Sequence, residues 1–335
     1  MCAMEKPMAY GIEIPHAKPA KPLFDGLFSA VVPCKDEEEM IPLFYAEFVS
    51  AFKATGSENF EIIFVEDGST DTTMSEIKKL SAKDGRVRYI SFSRNFGKEA
   101  AMYAGLKAAK GDFVAIMDAD LQDPPDLLPE MFSLISDCDC VAAARVNRAA
   151  EPPVRSFCAN AFYKALNYFS PFKFRDGARD FRLMRRRVVD EILRLDEYNR
   201  FTKGIFEWVG FKTKWIEFEN RARPAGRTKW TFAQLMVYSL EAFTSFSTLP
   251  LAFAAVLGLG FCAFSALAIV FVSIRQLLFH NSAFGWTSMV CILFFLSGLQ
   301  LFCLGVLGQY MSKIYLETKR RPHYVVESTN IEDFR

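Results

Sequence analysis

Short apolar runs punctuate the first half of the chain at regular intervals. Residues 27–33 (LFSAVVP), 60–65 (FEIIFV), 87–92, 112–117 (DFVAIM) and 139–145 are such runs, each a few residues long and bounded by polar or Gly- and Pro-containing stretches. Runs of this kind predict buried strands. Residues 36–54, a segment from Thr70-Asp71 to about Ala82, and residues 97–109 predict helices between them. The first places its acids where a helix N-terminus favours negative charge. Strands alternating with helices predict an α/β fold built on a mostly parallel sheet. Ligands of such sheets sit beyond the carboxyl ends of the strands. Glu66-Asp67 and Asp118-Ala119-Asp120 both fall at predicted strand ends, which puts them on one rim although they are some fifty residues apart.

The second half reads differently. Residues 242–312 contain one charged side chain, Arg275. Residues 249–274 would make a helix about 39 Å long, enough to cross a hydrocarbon layer of about 30 Å with some tilt. A second apolar run, 286–310, has an aromatic residue at each end, as interfacial belts do. The expectation is a two-helix transmembrane hairpin within 248–312. Arg223, Arg227 and Lys229 precede it and Lys313, Lys319, Arg320 and Arg321 follow it, whereas the connecting loop offers Arg275 and His280. This bias predicts a multi-pass inner or plasma membrane protein with the α/β domain and both termini cytoplasmic. Residues 230–247 suit an amphipathic helix lying at the membrane surface, or a buried soluble helix. Gly258, Gly260, Gly298, Gly305 and Gly308 permit close helix contacts, as in a homo-oligomer.

The 335 residues carry a net charge of only +1, and this balance hides a strong asymmetry. Residues 36–139 hold 21 acidic and 10 basic side chains, a balance of −11, whereas 173–229 hold 16 basic and 9 acidic, a balance of +7. A general nucleic-acid binder is excluded. The eight cysteines are scattered without zinc spacing and read as free thiols. The three histidines are far apart. Residues 1–25, rich in Pro and Lys, read as a flexible segment without the apolar core of a signal peptide. The remaining units are an α/β domain over 26–229 and a cytoplasmic tail over 313–335. No Gly-x-Gly-x-x-Gly or Walker loop follows the first strand, so neither a dinucleotide fold nor a P-loop ATPase is favoured.

The strongest local signal is Asp118-Ala119-Asp120-Leu121-Gln122-Asp123-Pro124-Pro125. Alternate residues leaving a strand can turn two carboxylates toward one hard cation, and Gln122 adds a neutral oxygen. Mg2+ or Mn2+ takes such ligands and bridges to substrate phosphates.

Four segments in order resemble the family 2 glycosyltransferases of the GT-A fold: Val32-Pro33-Cys34-Lys35-Asp36-Glu37-Glu38, Val65-Glu66-Asp67-Gly68-Ser69-Thr70-Asp71, Ser93-Arg94-Asn95-Phe96-Gly97-Lys98-Glu99 and 118–125. The closer resemblance is to the branch that makes polyprenyl-phosphate sugars, the dolichol-phosphate mannose synthases and bactoprenol glucosyltransferases. Asp180-Phe181-Arg182-Leu183-Met184 and Arg223 with Gly226-Arg227-Thr228-Lys229-Trp230 resemble that branch's later motifs. The resemblance implies a GT-A sheet with helices on both faces. It implies that Pro33, Lys35, Glu37, Val65, Asp67 and Lys98, with Asp118, Ala119, Asp120 and Gln122, bind a nucleotide-sugar donor. Asp118, Asp120 and Gln122 would hold Mg2+ or Mn2+. Arg145, Arg155, Arg223 and Lys229 would hold donor and lipid-acceptor phosphates, and Asp120, Asp180 and Arg182 would be catalytic. Lys35-Asp36 stands where the family usually has Tyr-Asn, and Arg227-Thr228 where Glu-Ser is common. The Gln-x-x-Arg-Trp motif of processive synthases is absent, which implies one sugar per turnover.

The reaction expected from this resemblance is inverting transfer of one sugar from a nucleotide-sugar, UDP-glucose first, to polyprenyl (undecaprenyl) phosphate at the bilayer, for modification of a cell-envelope glycan. UDP-GlcNAc, UDP-galactose and GDP-mannose are alternative donors. Asp180 is either a base or an ion-pair partner of Arg179 or Arg182. A membrane-anchored nucleotidyltransferase and a non-catalytic membrane assembly protein are the competing classes.

Overall fold

The computed structural model describes residues 21–145, 175, 177–219, 249–279, 285–332 and 334. Arg155, Arg223, Lys229 and the expected surface helix 230–247 lie outside them.

Eight strands form one sheet: β1 Phe28–Cys34, β2 Phe60–Glu66, β3 Val87–Phe92, β4 Phe113–Ile116, β5 Cys140–Arg145, β6 Ala178–Arg185, β7 Thr213–Phe218 and β8 Val326–Thr329. Their order is β7-β5-β6-β4-β1-β2-β3-β8. The central block β4-β1-β2-β3 is wholly parallel. β6 runs antiparallel to β4 and β5, and β5 pairs in parallel with β7. The carboxyl ends of β1–β5 and β7 therefore share one rim with the amino end of β6.

Both central strands, β1 and β2, are buried at every position. That is why they read as mostly apolar runs, with the buried Ser29 donating to Glu61: a parallel sheet is covered on both faces. One cover is α1, Met40–Lys53, whose Phe44, Phe48 and Phe52 recur every four residues and so lie on one helix face. They meet the sheet as an aromatic layer, with ring centroids 5.2 Å apart for Phe28–Phe52 and 5.3 Å for Phe48–Phe60. Phe24 extends this layer by stacking on Phe132 at 4.0 Å, so the packed unit starts within the segment expected to be flexible. α4, Leu128–Leu134, carries Phe132.

The other face is covered by α3, Lys98–Ala108, with buried Ala100, Ala101, Ala104 and Ala108. Small side chains let this helix sit almost on the strands; a Cβ at Gly105 would fall 2.2 Å from Val31 Cγ1. α5, Arg186–Arg194, and α6, Thr202–Trp208, complete that layer, while α2, Thr73–Lys83, joins β2 to β3.

Five strands and three helices lie where the apolar pattern predicts them, within a few residues. β6, β7 and β8 are additions. In β6 (ARDFRLMR) four charged residues interrupt the apolar signal. β8 has only four residues.

Both expected spans are helical: α7 is Leu249–Phe279 and α8 Trp286–Lys319. Among the described residues one helix, Ile292–Lys319, is long and apolar enough to cross a membrane, with mean hydropathy 1.9. Phe294 (72% exposed) and Leu301 (70% exposed) of α8 face outward. A Cβ at Gly258, Gly260, Gly298, Gly305 or Gly308 would meet nothing within 4 Å. The tail expected over 313–335 instead continues α8 and then returns to the sheet as β8.

Candidate active site

The rim is built by loops that brace one another. Asp36 Oδ1 accepts Thr70 N–H at 2.8 Å, and Thr73 Oγ1 accepts Glu37 N–H at 2.8 Å. The buried Glu66 accepts from Ser69 N–H and from the Ser91 hydroxyl. Asp67 spends both carboxylate oxygens on the next loop, accepting Phe96 N–H at 2.6 Å and Gly97 N–H at 2.9 Å. Burial pushes its carboxyl above the usual range, against the pull of those two N–H groups. Gly68 sits at φ +64, where an added Cβ would fall 2.5 Å from Arg94 C, so only glycine lets the two loops close on each other.

Asp118, Ala119, Asp120 and Gln122 leave β4 in the turn before α4. The β4–β6 register runs from Phe113↔Arg185 to Ile116↔Arg182. Carried two residues further, it sets Asp118 opposite Asp180. Lys98, the first residue of α3, fills the space between them, with Nζ 2.7 Å from Asp118 Oδ1 and 2.6 Å from Asp180 Oδ2. Desolvation opposes charge on Lys98 and on Asp180, but their mutual attraction, with Asp118, outweighs it. The ammonium is held above its usual range and the Asp180 carboxyl below.

Alternation along β6 sends Arg179 to the opposite face from Asp180. There Nε of Arg179 donates to Asp123 Oδ1 at 2.7 Å, and the same guanidinium lies 3.5 Å from Gln122 Oε1. Asp180 therefore pairs with Lys98 rather than with Arg179 or Arg182. Asp123 is fully buried, and its Oδ2 has no hydrogen-bond partner among the described residues. Burial lifts its carboxyl to about 6; Asp118 and Asp120 add to the rise, and Arg179 opposes it. Asp120 Oδ1 accepts the Gln122 N–H at 3.1 Å, closing a turn in which Leu121 adopts φ +56. A leucine in that region costs about 1 kcal/mol, a strain of the kind held at functional sites.

The sequence profile of glycosyl transferase family 2 matches residues 29–193. The bactoprenol glucosyl transferase of Shigella phage SfX is 42% identical over 301 residues, 90% of this chain and 98% of that protein. The chain belongs to glycosyltransferase family 2. A prophage bactoprenol glucosyl transferase homolog of Escherichia coli K12 is 40% identical over 89% of the chain and 98% of its own length. Among solved structures, a mannosyltransferase of Pyrobaculum calidifontis in complex with GDP-Man and Mn2+ aligns with TM-score 0.43 and 17% identity, over 88% of this chain and 85% of that one.

The glycosyltransferase thus brings Asp118, Lys98 and Asp180 together, with Asp120 and Gln122 in the adjoining turn, where Gln122 lies toward Arg179, and with Lys35, Glu37 and Arg145 on the same rim. Three other expected residues are buried. The side chain of Val65 is fully buried beneath α3. Pro33 is buried in β1 just beyond Val31, where the ladder with β4 ends, so its missing N–H leaves no strand bond unmade. Arg182 is 2% exposed, with its guanidinium 3.5 Å over the Phe206 ring and burial drawing its pKa down. It packs beneath the rim, and its Nε has no partner among the described residues. The roles of Lys98 as the bridge and Asp123 as a buried acid depend on folding, and the strand alternation of 179 and 180 was the only signal for the latter pairing.

The cysteines are as expected where described: Cys34, Cys138, Cys140 and Cys303 are free. Among the described residues no three His, Cys, Asp or Glu side chains are grouped to hold a metal.

Next to Lys98, half-buried Glu99 accepts Thr202 N–H at 3.0 Å and the Thr202 hydroxyl. Burial lifts its carboxyl from 4.5 to about 7, which the Thr202 bonds only partly offset. An acid whose pKa is raised by folding favours the fold when protonated, so this contribution is lost as pH rises from about 4.5 to about 7. Glu99→Gln is expected to match the wild type near pH 4 and to be more stable by about 2 kcal/mol at pH 8. Thermal unfolding of both proteins across that range checks it; parallel curves would refute it.

Proposed function

We propose that this glycosyltransferase moves one sugar, glucose from UDP-glucose in the first instance, onto undecaprenyl phosphate with inversion at the anomeric carbon. The observation that carries the reading is Lys98 joining Asp118 to Asp180 on the rim, beside the turn that holds Asp120. It occurs in a chain similar to a bactoprenol glucosyl transferase along 98% of that protein's length.

The donor set fits a divalent cation. Asp118 and Asp120 are carboxylates two residues apart on the rim and Gln122 adds a carboxamide, an all-oxygen set suited to Mg2+ or Mn2+. Asp118, Asp120 and Gln122 would hold the ion, and oxygens of the donor and of solvent would complete its ligand set. When bound, such an ion stabilises charge on the departing diphosphate.

The chain's own residues do the remainder. Lys98 balances the carboxylates it bridges and is within reach of a donor phosphate beside them. Asp180, held ionised by Lys98, orients the acceptor across from Asp118. A lipid phosphate is already anionic near neutrality, with a second pKa of about 6, so positioning outweighs proton removal. Arg145, Arg155, Arg223 and Lys229 are the candidates for gripping phosphates. Arg182 acts from beneath, fixing β6 under Asp180. The same reading has α7 and α8 form a two-span hairpin that keeps the catalytic domain and both termini cytoplasmic, next to the lipid's anionic head.

The test uses the detergent-solubilised chain with undecaprenyl phosphate and UDP-glucose, UDP-GlcNAc, UDP-galactose or GDP-mannose. Glucosyl-lipid and UDP in equal amounts are expected. Pyrophosphate release would mark a nucleotidyltransferase instead, and no nucleotide consumption an assembly protein.

A further inference from the structure

The segment after α8 does not trail away from the catalytic domain. β8 pairs antiparallel with β3, setting Ile90 opposite Thr329 and Ser91 opposite Ser328, with an irregularity before Phe92↔Val326. Asn330 anchors its far end: Oδ1 accepts Tyr89 N–H at 2.7 Å, and Nδ2 donates to Ser81 Oγ at 2.8 Å. Ile331 is buried. At its near end Glu317 accepts Tyr198 N–H at 2.9 Å, and His323 Nε2 lies 2.7 Å from Asp196 Oδ1. The segment is thus strapped to the domain on both sides.

Covering the β3 edge needs only the ladder. The contacts go beyond it, toward the rim. Ser93 N–H donates to Val325 O at 3.0 Å. Tyr324 stacks on Phe92 with centroids 4.9 Å apart and planes within 13°, and Phe92 meets Phe96 edge-on at 5.7 Å. Phe96 and Gly97 are the residues whose N–H groups Asp67 holds, and Lys98 follows directly. An unbroken line of packed groups therefore runs from the C-terminal strap to the ammonium between Asp118 and Asp180.

We infer that residues 324–331 are part of the donor site, and that Tyr324 is a positioning residue which, through Phe92 and Phe96, sets the loop 93–98 that presents Lys98. The inference rests on the donor-site reading above. It makes the donor grip depend on a segment attached directly to the apolar helix α8, so the helix and the nucleotide-sugar site are mechanically joined.

The test compares full-length wild type, Tyr324→Ala, Tyr324→Phe and Asn330→Ala in detergent, with UDP-glucose kinetics, UDP calorimetry and thermal unfolding. Tyr324→Ala is expected to raise the donor KM and weaken UDP binding about tenfold, with kcat and acceptor KM within about twofold, because a misplaced loop loses ground-state grip. Tyr324→Phe keeps the ring and restores wild-type values. Asn330→Ala, which frees only the far end, raises donor KM by a smaller factor. Should Tyr324→Ala fail to fold, Tyr324→Leu keeps most of the buried volume without a ring to stack and carries the same expectation. Unchanged donor KM and UDP affinity in the folded variant would overturn the inference, as would a loss of kcat alone. Failure of the wild type itself to bind UDP or consume UDP-glucose would instead overturn the donor-site reading.

Discussion

Asp118→Asn is expected to cut lipid-linked sugar formation by on the order of a hundredfold or more while leaving the fold intact. Asp118 lies on the rim, partly exposed, and pairs with Lys98, which keeps Asp180 as a second anchor. Removing the charge takes nothing from the core. It takes one of two carboxylates available to a cation and leaves the ammonium paired on one side only. Asp120→Ala should behave alike, since its carboxylate otherwise closes a short turn. The check is turnover at saturating donor and acceptor, together with Mn2+ titration of the variant. Undiminished product in either variant would remove the cation from the reading and leave Lys98 and Asp180 as the site.

The largest effect on stability is expected at Phe28. Its side chain is fully buried on β1 and meets Phe48, Phe52 and Phe132 with centroids at 6.1, 5.2 and 5.5 Å. Phe28→Ala removes the shared member of contacts between β1, α1 and α4 and leaves a cavity among their rings. The cost should be about 3–5 kcal/mol, a large share of the 5–15 kcal/mol typical of a whole domain. Phe28→Leu, which keeps most of the volume, should cost less than half as much. Denaturant unfolding of the detergent-solubilised chain measures both. Equal, small losses would show that the aromatic layer is not a cooperative core.

These two sites differ in how far the linear chain reveals them. Phe28, Phe48 and Phe60 are legible, because burial on both faces makes a parallel strand mostly apolar and a four-residue repeat of Phe marks one helix face. The Asp118-Ala119-Asp120 end of β4 is legible for the same reason: the strand before it is apolar and the acids break the pattern. β6 is not, since Arg179, Asp180, Arg182 and Arg185 carry charges whose partners, Asp123, Lys98, an aromatic face and main-chain carbonyls, come from other elements. β8 is invisible because four residues carry no period, and its place comes from the unpaired edge of β3.

Sequence alone determined the alternating α/β order, the acids at two strand ends, the charge asymmetry between halves and the apolar C-terminal helices, because each is a property of neighbours along the chain. Only the tertiary structure decided that Lys98 joins Asp118 to Asp180, that Arg182 lies under the rim, and that the C-terminal segment returns to brace the loop 93–98. Such contacts form between side chains tens or hundreds of residues apart, and strand order and register, which no local pattern encodes, set which of them meet.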